Sequence, residues 1–282
     1  MIKFFRHIRR SLLNENKMGK PALPDSTSGR LGRYFKYAIG EVVLVMIGIL
    51  LALQINNWNQ NRLNANIESL YYKRLLDDVR EEEQILQAII NYSNQVTFHA
   101  KKAIAVFENS SKASDNPVEN IVDLYQASQF TDSYSAKSTF KELIASGQIN
   151  LLQNDSIKTA LIRYYDAEWS ESGTFTFENR YRENLRGKMP DDIQTQIRLN
   201  CGDIYLKKGN SYLISLPDKC NIDLDLNIAK SVIDELRMDE SLKKDLRYLI
   251  GNEVGKMNDL KPIQKQLNNL ISLLEEINNE NQ

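Results

Sequence analysis

Any chemistry in this sequence has to be built from few residue types. The 282 residues include two histidines, His7 and His99, and two cysteines, Cys201 and Cys220. Two cysteines exclude a four-cysteine metal site and a disulfide-dense scaffold. A serine nucleophile beyond the basic leader would have to recruit His99, and no serine context supports that. The P-loop, GxGxxG, GxSxG, HExxH and CxxC patterns are absent. Carboxylates are plentiful, with 35 of 37 beyond position 36. A pair of them would suit glycoside hydrolysis, yet spacing singles out no pair. The chain is therefore expected to be no enzyme, with no catalytic residues, no cofactor and no metal.

Three smaller constellations carry positional information. Ile204–Leu206 and Tyr212–Ile214 flank Gly209-Asn210, a dipeptide suited to a tight hairpin. In a two-residue hairpin centred there, Cys201 faces position 218, which brings Cys220 within reach. The expectation is a disulfide, with two unpaired thiols as the alternative. Glu41 lies in an otherwise apolar run. It reads either as an intramembrane partner or proton site, or as an interfacial carboxylate reaching water or Lys36. Gly48 and Ala52 are four residues apart, a small-xxx-small pair that permits close helix packing and oligomerisation.

The element that must hold Glu41, Gly48 and Ala52 is a membrane span. Val42 through Leu53 is uninterrupted apolar sequence. Extended to Tyr37 and Ile55, a helix there reaches about 28 Å, near the roughly 30 Å of a hydrocarbon core. Tyr34, Phe35 and Tyr37 flank one end and Trp58 the other, as interfacial belts require. The run starts too far into the chain for a signal peptide, and no A-x-A-like site follows it. The overall charge of −1 is a cancellation. Residues 1–36 hold nine basic and two acidic residues, a net of +7, leaving −8 for the remainder. The positive-inside rule then keeps the amino terminus cytoplasmic and exports the rest, a type II arrangement.

Residues 1–16 form a basic amphipathic helix in this reading. Met1, Phe5, Ile8 and Leu12 make one stripe, and Lys3, Arg6, Arg9 and Arg10 occupy the other faces. Such a helix lies on an anionic leaflet, or its charges serve only to set topology. Lipid is a simpler partner for it than nucleic acid. Residues 17–33, rich in glycine and proline, read as a flexible linker, residues 34–58 as the span, and 59–282 as the exported domain.

MIKFFRHIRRSLLNENK and YAIGEVVLVMIGILLALQINNWN resemble the start of an uncharacterised family of single-pass membrane proteins from Bacteroidota. FKELIASGQINLLQNDSIKTALIRYYD is similar to that family's internal motif. The resemblance covers about a quarter of the chain. It implies a single-pass inner-membrane protein and carries over no activity and no catalytic residues.

The exported part reads as helix. No glycine or proline interrupts residues 49–116, so the span is expected to continue into a stalk helix ending near Asn109. Asp77, Asp78 and Glu81–Glu83 read as a solvated face of it. Ser110–Pro117 is expected as a loop, followed by a helix over 118–126. The capping-box spacing Thr139-x-x-Glu142 starts a short helix that Gly147 ends. Asn154 or Asp155 caps the next, which buries Ile157, Leu161, Tyr164 and Tyr165, with Gly173 as its breaker. The two tyrosines are read as core residues with satisfied hydroxyls. Helices over 226–238 and 241–257 follow, and Pro262 opens a last one.

The predicted fold is thus all-α: a transmembrane helix continuing into a stalk, packed with an antiparallel helical bundle, plus a small β-hairpin near 203–215. The leading functional expectation is an envelope adaptor or scaffold that binds a protein partner or a second copy of itself, with the bilayer as its other contact. The alternatives are a small-ligand sensory bundle and a carboxylate-dependent envelope hydrolase.

Overall fold

Eleven positions of one helix set the architecture. Tyr72, Leu75, Val79, Glu82, Leu86, Ile89, Ser93, Val96, Ala100, Ala103 and Phe107 are all buried. They follow one another at alternating spacings of three and four, the signature of a seam between two long helices. They belong to α1 (Ser28–Glu108). A second stripe with the same alternation lies on α9 (Glu240–Glu280): Leu242, Leu246, Leu249, Glu253, Lys256, Leu260, Ile263, Leu267, Leu270 and Leu274. Cross-links between the helices show that they run antiparallel. Tyr72 O accepts from Asn278 Nδ2 at 3.2 Å, Arg80 donates to Glu275 at 2.8 Å, and Arg247 donates to Glu108 at 2.6 Å.

The computed structural model describes residues 28–132, 134–208 and 211–280, with the backbone alone described at 28–37, 208 and 211. The leader 1–16, with Lys3, Arg6, Arg9 and Arg10, lies outside the described residues, as does linker residues 17–27 and the Gly209-Asn210 turn. Residues 28–33, expected in the linker, already belong to α1. The chain divides into two compact units, Met1–Leu63 and Asn64–Gln282.

Between α1 and α9 come α2 (Ser110–Ser114), α3 (Pro117–Gln126), α4 (Ser138–Ala145), α5 (Asp155–Tyr165), α6 (Arg180–Arg186), α7 (Asp191–Cys201), β1 (Ile204–Lys208), β2 (Ser211–Ser215) and α8 (Leu226–Arg237). Short 3-10 turns occupy Gln148–Leu151 and Trp169–Glu171. The all-α class holds: among the described residues the only sheet is the β1–β2 hairpin, in the register Ile204 opposite Ser215.

Two apolar cores lie along the α1–α9 seam. One gathers α1 residues 71–89 with α4, α5 and the second half of α9. The other gathers α1 residues 100–107 with α3, α6, α7, α8 and the first half of α9. Ser93, Glu253 and Lys256 occupy the seam between them.

Several local expectations need correction. The stalk helix does end at Glu108, but Ser110–Ser114 is helical, because Asn109 Oδ1 accepts the Ser111 N–H at 2.9 Å and caps a turn. The Thr139–Glu142 capping box does not form. Thr139 lies inside α4 and donates its N–H to Asp78 Oδ2 at 2.7 Å, while Glu142 pairs with Arg74 of α1. Gly147 does end that helix, at φ 70°, a conformation glycine adopts without strain. Asn154 caps α5 through the Ile157 N–H at 3.0 Å. That helix stops at Tyr165, eight residues before Gly173, which lies in a turn. Pro262 opens no helix: it sits on the exposed side of an unbroken α9, whose Leu260 and Leu267 are buried on either side of it. Packing of that stripe outweighs the one backbone hydrogen bond a proline removes.

Candidate ligand-binding cleft and membrane-spanning helix

In the first unit, α1 carries the apolar run. Among the described residues, this is the one helix long and apolar enough to cross a membrane, with a mean hydropathy of 2.4 in its best window. Its side chains are exposed from Ala38 to Arg62, including Val42 at 63% and Trp58 at 64%. Arg62 stacks on the Trp58 ring at 5.5 Å. Glu41, Gly48 and Ala52 are all exposed, and steps of seven and four place them on one helical face. A Cβ added at Gly48 would meet nothing within 4 Å.

In the second unit, Asp77 and Glu83 of the acidic cluster are exposed and Asp78 and Glu81 half-buried, but Glu82 is not part of a solvated face. Glu82 is fully buried because the three-four alternation places it between Val79 and Leu86. Its Oε1 accepts from the Ser135 hydroxyl at 2.8 Å, the Tyr164 hydroxyl at 3.0 Å and the Trp169 indole at 3.1 Å. Its Oε2 accepts the Ala136 N–H at 2.5 Å. Burial pushes the Glu82 carboxyl above its ordinary range, and these four donors pull it part of the way back. The Tyr165 hydroxyl donates to Ala136 O at 3.0 Å. Both tyrosines are therefore core residues with satisfied hydroxyls, as expected from their spacing.

The second polar break in the stripe is Ser93. Its hydroxyl donates to Glu253, whose other oxygen accepts from Lys256 Nζ at 2.7 Å. All three side chains are buried. A lysine and a carboxylate removed from water together must satisfy each other.

Lys256 reaches a cavity of about 770 Å³ whose wall includes Phe130, Phe175, Phe177, Arg182 and Arg186. Two turns of structure position the arginines. Arg182 and Arg186 are four residues apart and share one face of α6. The buried Ser128–Gln129 segment after α3 then holds both forks. Arg182 Nη1 donates to Ser128 O at 2.9 Å and to Gln129 Oε1 at 3.2 Å. Arg186 Nε donates to Ser128 Oγ at 3.0 Å, and its Nη2 to Gln129 Oε1 at 2.7 Å. The guanidinium groups stack on Phe130 at 4.7 Å and on Tyr125 at 4.4 Å. Burial pushes Arg186 down to about 10, and the like charge of Arg182 adds to this. Burial lowers Arg182 as well.

A neighbouring cleft of about 550 Å³ shares Phe130, Asp132 and Arg182 and is lined on its other side by Tyr205, Tyr212 and Ile214 of the hairpin. Asp203 also lines it and accepts from the Tyr92 hydroxyl at 2.9 Å. Gln95 of α1 anchors the hairpin, donating to Leu216 O and accepting from Leu216 N, both at 2.9 Å. Cys201 and Cys220 are joined at the hairpin's base, with Cα atoms 5.2 Å apart.

Residues 41–175 match the model of a family of unknown function (DUF6090). The match takes in the apolar run, Asp78, Glu82 and the segments that Glu82 holds together. The arginines of α6 and the Glu253–Lys256 pair lie beyond it. No curated protein and no solved structure matches the chain.

His99 is half-buried and meets the buried Asp123 at 2.7 Å, with Lys102 on the carboxylate's other oxygen at 3.6 Å. Among the described residues, the cleft beside it is lined by no serine or threonine. The residues that sequence reasoning missed are Glu82, Ser93, Arg182, Arg186, Glu253 and Lys256. For Glu82 and Ser93 the signal was present in the alternation of α1. For the arginines it was their spacing of four. Nothing local connects them to Lys256, which is 70 residues away from Arg186.

Proposed function

We propose that this chain is a single-pass envelope protein of type II topology, acting as an adaptor or scaffold by binding rather than by catalysis. The basic leader stays in the cytoplasm of a bacterial cell, α1 spans the inner membrane, and the helical domain faces the periplasm. A membrane anchor is supported by a helix of mean hydropathy 2.4 whose side chains are exposed. The charge split of +7 and −8 around it supports the orientation.

The observation that carries the binding reading is strand β1. Ile204, Tyr205, Leu206 and Lys207 are all exposed, and among the described residues β1 pairs with β2 alone. Exposed apolar side chains on an unpaired strand edge suit a protein partner that adds a strand or packs on the hairpin. The face bearing Glu41, Gly48 and Ala52 suits a second copy of the span. Photo-crosslinking from Tyr205 in native membranes, read by mass spectrometry, tests this. One reproducible protein partner is the expected result. Labelling of lipid and solvent alone contradicts it.

A second reading, a small-ligand sensory bundle, is favoured by one observation. The 770 Å³ cavity has an aromatic wall and cationic groups converging on it.

A further inference from the structure

Arg182 and Arg186 are half-buried on a cavity wall, and among the described residues every hydrogen bond their guanidinium groups donate ends on a neutral oxygen of Ser128 or Gln129. The buried Lys256 of the same wall, by contrast, is matched by Glu253. The half-buried Asp203 carboxylate acts electrostatically on both guanidinium groups without a hydrogen bond to either, and one negative charge against two side-by-side guanidinium groups leaves an excess of positive charge that an anion relieves. The geometry leaves Arg182 Nη2 and Arg186 Nη1 without a protein partner among the described residues. Arg198 adds a third positive charge behind them, donating to the Tyr125 hydroxyl at 2.8 Å.

The remaining wall defines the rest of the ligand. Phe130, Phe175 and Phe177 present aromatic surface to the same 770 Å³ space. Asn179, whose Oδ1 caps α6 through the Arg182 N–H at 3.0 Å, keeps a buried Nδ2 with no partner at this wall. The two carboxylates of the wall, Asp132 and Glu183, are exposed to solvent and so screened, while the arginines are not. A fork of paired guanidinium groups matches the oxygen spacing of a phosphate or carboxylate.

We propose that this cavity is an anion site, taking a phosphate or carboxylate group on Arg182 and Arg186 and an aromatic or apolar body against Phe130, Phe175 and Phe177. The proposal rests on the ligand-binding reading above and adds the ligand's chemistry to it. Either a soluble aryl or acyl anion or an anionic lipid headgroup carries that chemistry.

The test uses the full chain in phosphatidylcholine nanodiscs, titrated with phenyl phosphate, inorganic phosphate and benzyl alcohol. Phenyl phosphate is expected to bind at least ten-fold more tightly than benzyl alcohol, with inorganic phosphate competing. R182Q is expected to weaken phenyl phosphate at least ten-fold and leave benzyl alcohol unchanged. Adding phosphatidylglycerol to the nanodiscs separates the sources: competition assigns the site to lipid, and none assigns it to a soluble anion. Equal binding of phenyl phosphate and benzyl alcohol overturns the anion site but leaves a ligand cavity. Binding of neither overturns both. If R182Q does not fold, photolabelling of the wild-type chain with azidophenyl phosphate replaces it. Labels within 128–132 and 175–186 support the site, and labels elsewhere overturn it.

Discussion

The indole N–H of Trp169 donates to Glu82 Oε1 at 3.1 Å across 87 residues of sequence. Glu82 thereby fixes the turn after α5 to the long helix, and its other donors fix Ser135, Ala136 and Tyr164 to the same point. E82Q replaces one acceptor oxygen by a donor, so one of four buried donors loses its partner. A loss of about 1–3 kcal/mol is expected at pH 5 by urea unfolding. Burial holds the Glu82 carboxyl above its ordinary value of 4.5 in the folded state. The stability linked to this shift is complete below the unfolded value and is lost as pH rises through the folded one. The gap between wild type and E82Q therefore narrows as pH rises above 4.5. A gap that widens over that range contradicts this account.

Ser93, Glu253 and Lys256 make the second polar break, between the two apolar cores. E253Q strands a buried ammonium, and K256M strands a buried carboxylate. Each is expected to cost about 3–5 kcal/mol. The double variant E253L/K256M removes both charges and is expected to cost much less than the sum. Denaturant melts of the three variants measure this, and additive losses would show that the two side chains do not act as a pair.

The predicted all-α class, the helix bound near Glu108 and the Asn154 cap were legible because each depends on near neighbours in sequence. The hairpin was legible for the same reason, and its register follows from the turn length. Glu82 was misread because charge was weighed before phase: a glutamate on a three-four stripe is buried with the stripe. Thr139 and Glu142 were misread because Asp78 and Arg74, about 60 residues away, compete successfully for the groups a capping box would use. The arginine cavity depends on three separated segments, around Ser128, Phe175 and Lys256, and no local pattern brings those together.

Pro262 is exposed within α9, and its ring denies the Asn258 carbonyl a helical N–H. P262A restores that bond without altering the buried stripe. A gain of about 1–3 kcal/mol is expected in thermal unfolding. An unchanged or lowered melting temperature would show that the helix uses the proline.

The Cys201–Cys220 bridge closes a separation of 19 residues that contains the hairpin. Loop-closure entropy gives it a stabilisation of about 3 kcal/mol. Reduction, or the C201S/C220S pair, is expected to lower the melting temperature and to loosen the hairpin first. Hydrogen exchange over 204–215 reads this directly, and unchanged protection there would contradict it.

The central claim is a helical domain held on the outer side of a membrane by one span. Protease added to intact spheroplasts tests it most directly, followed by immunoblotting for residues 64–282 with a cytoplasmic protein as control. The account predicts that this region is digested while the control survives. Protection of residues 64–282 until the membrane is permeabilised would contradict it.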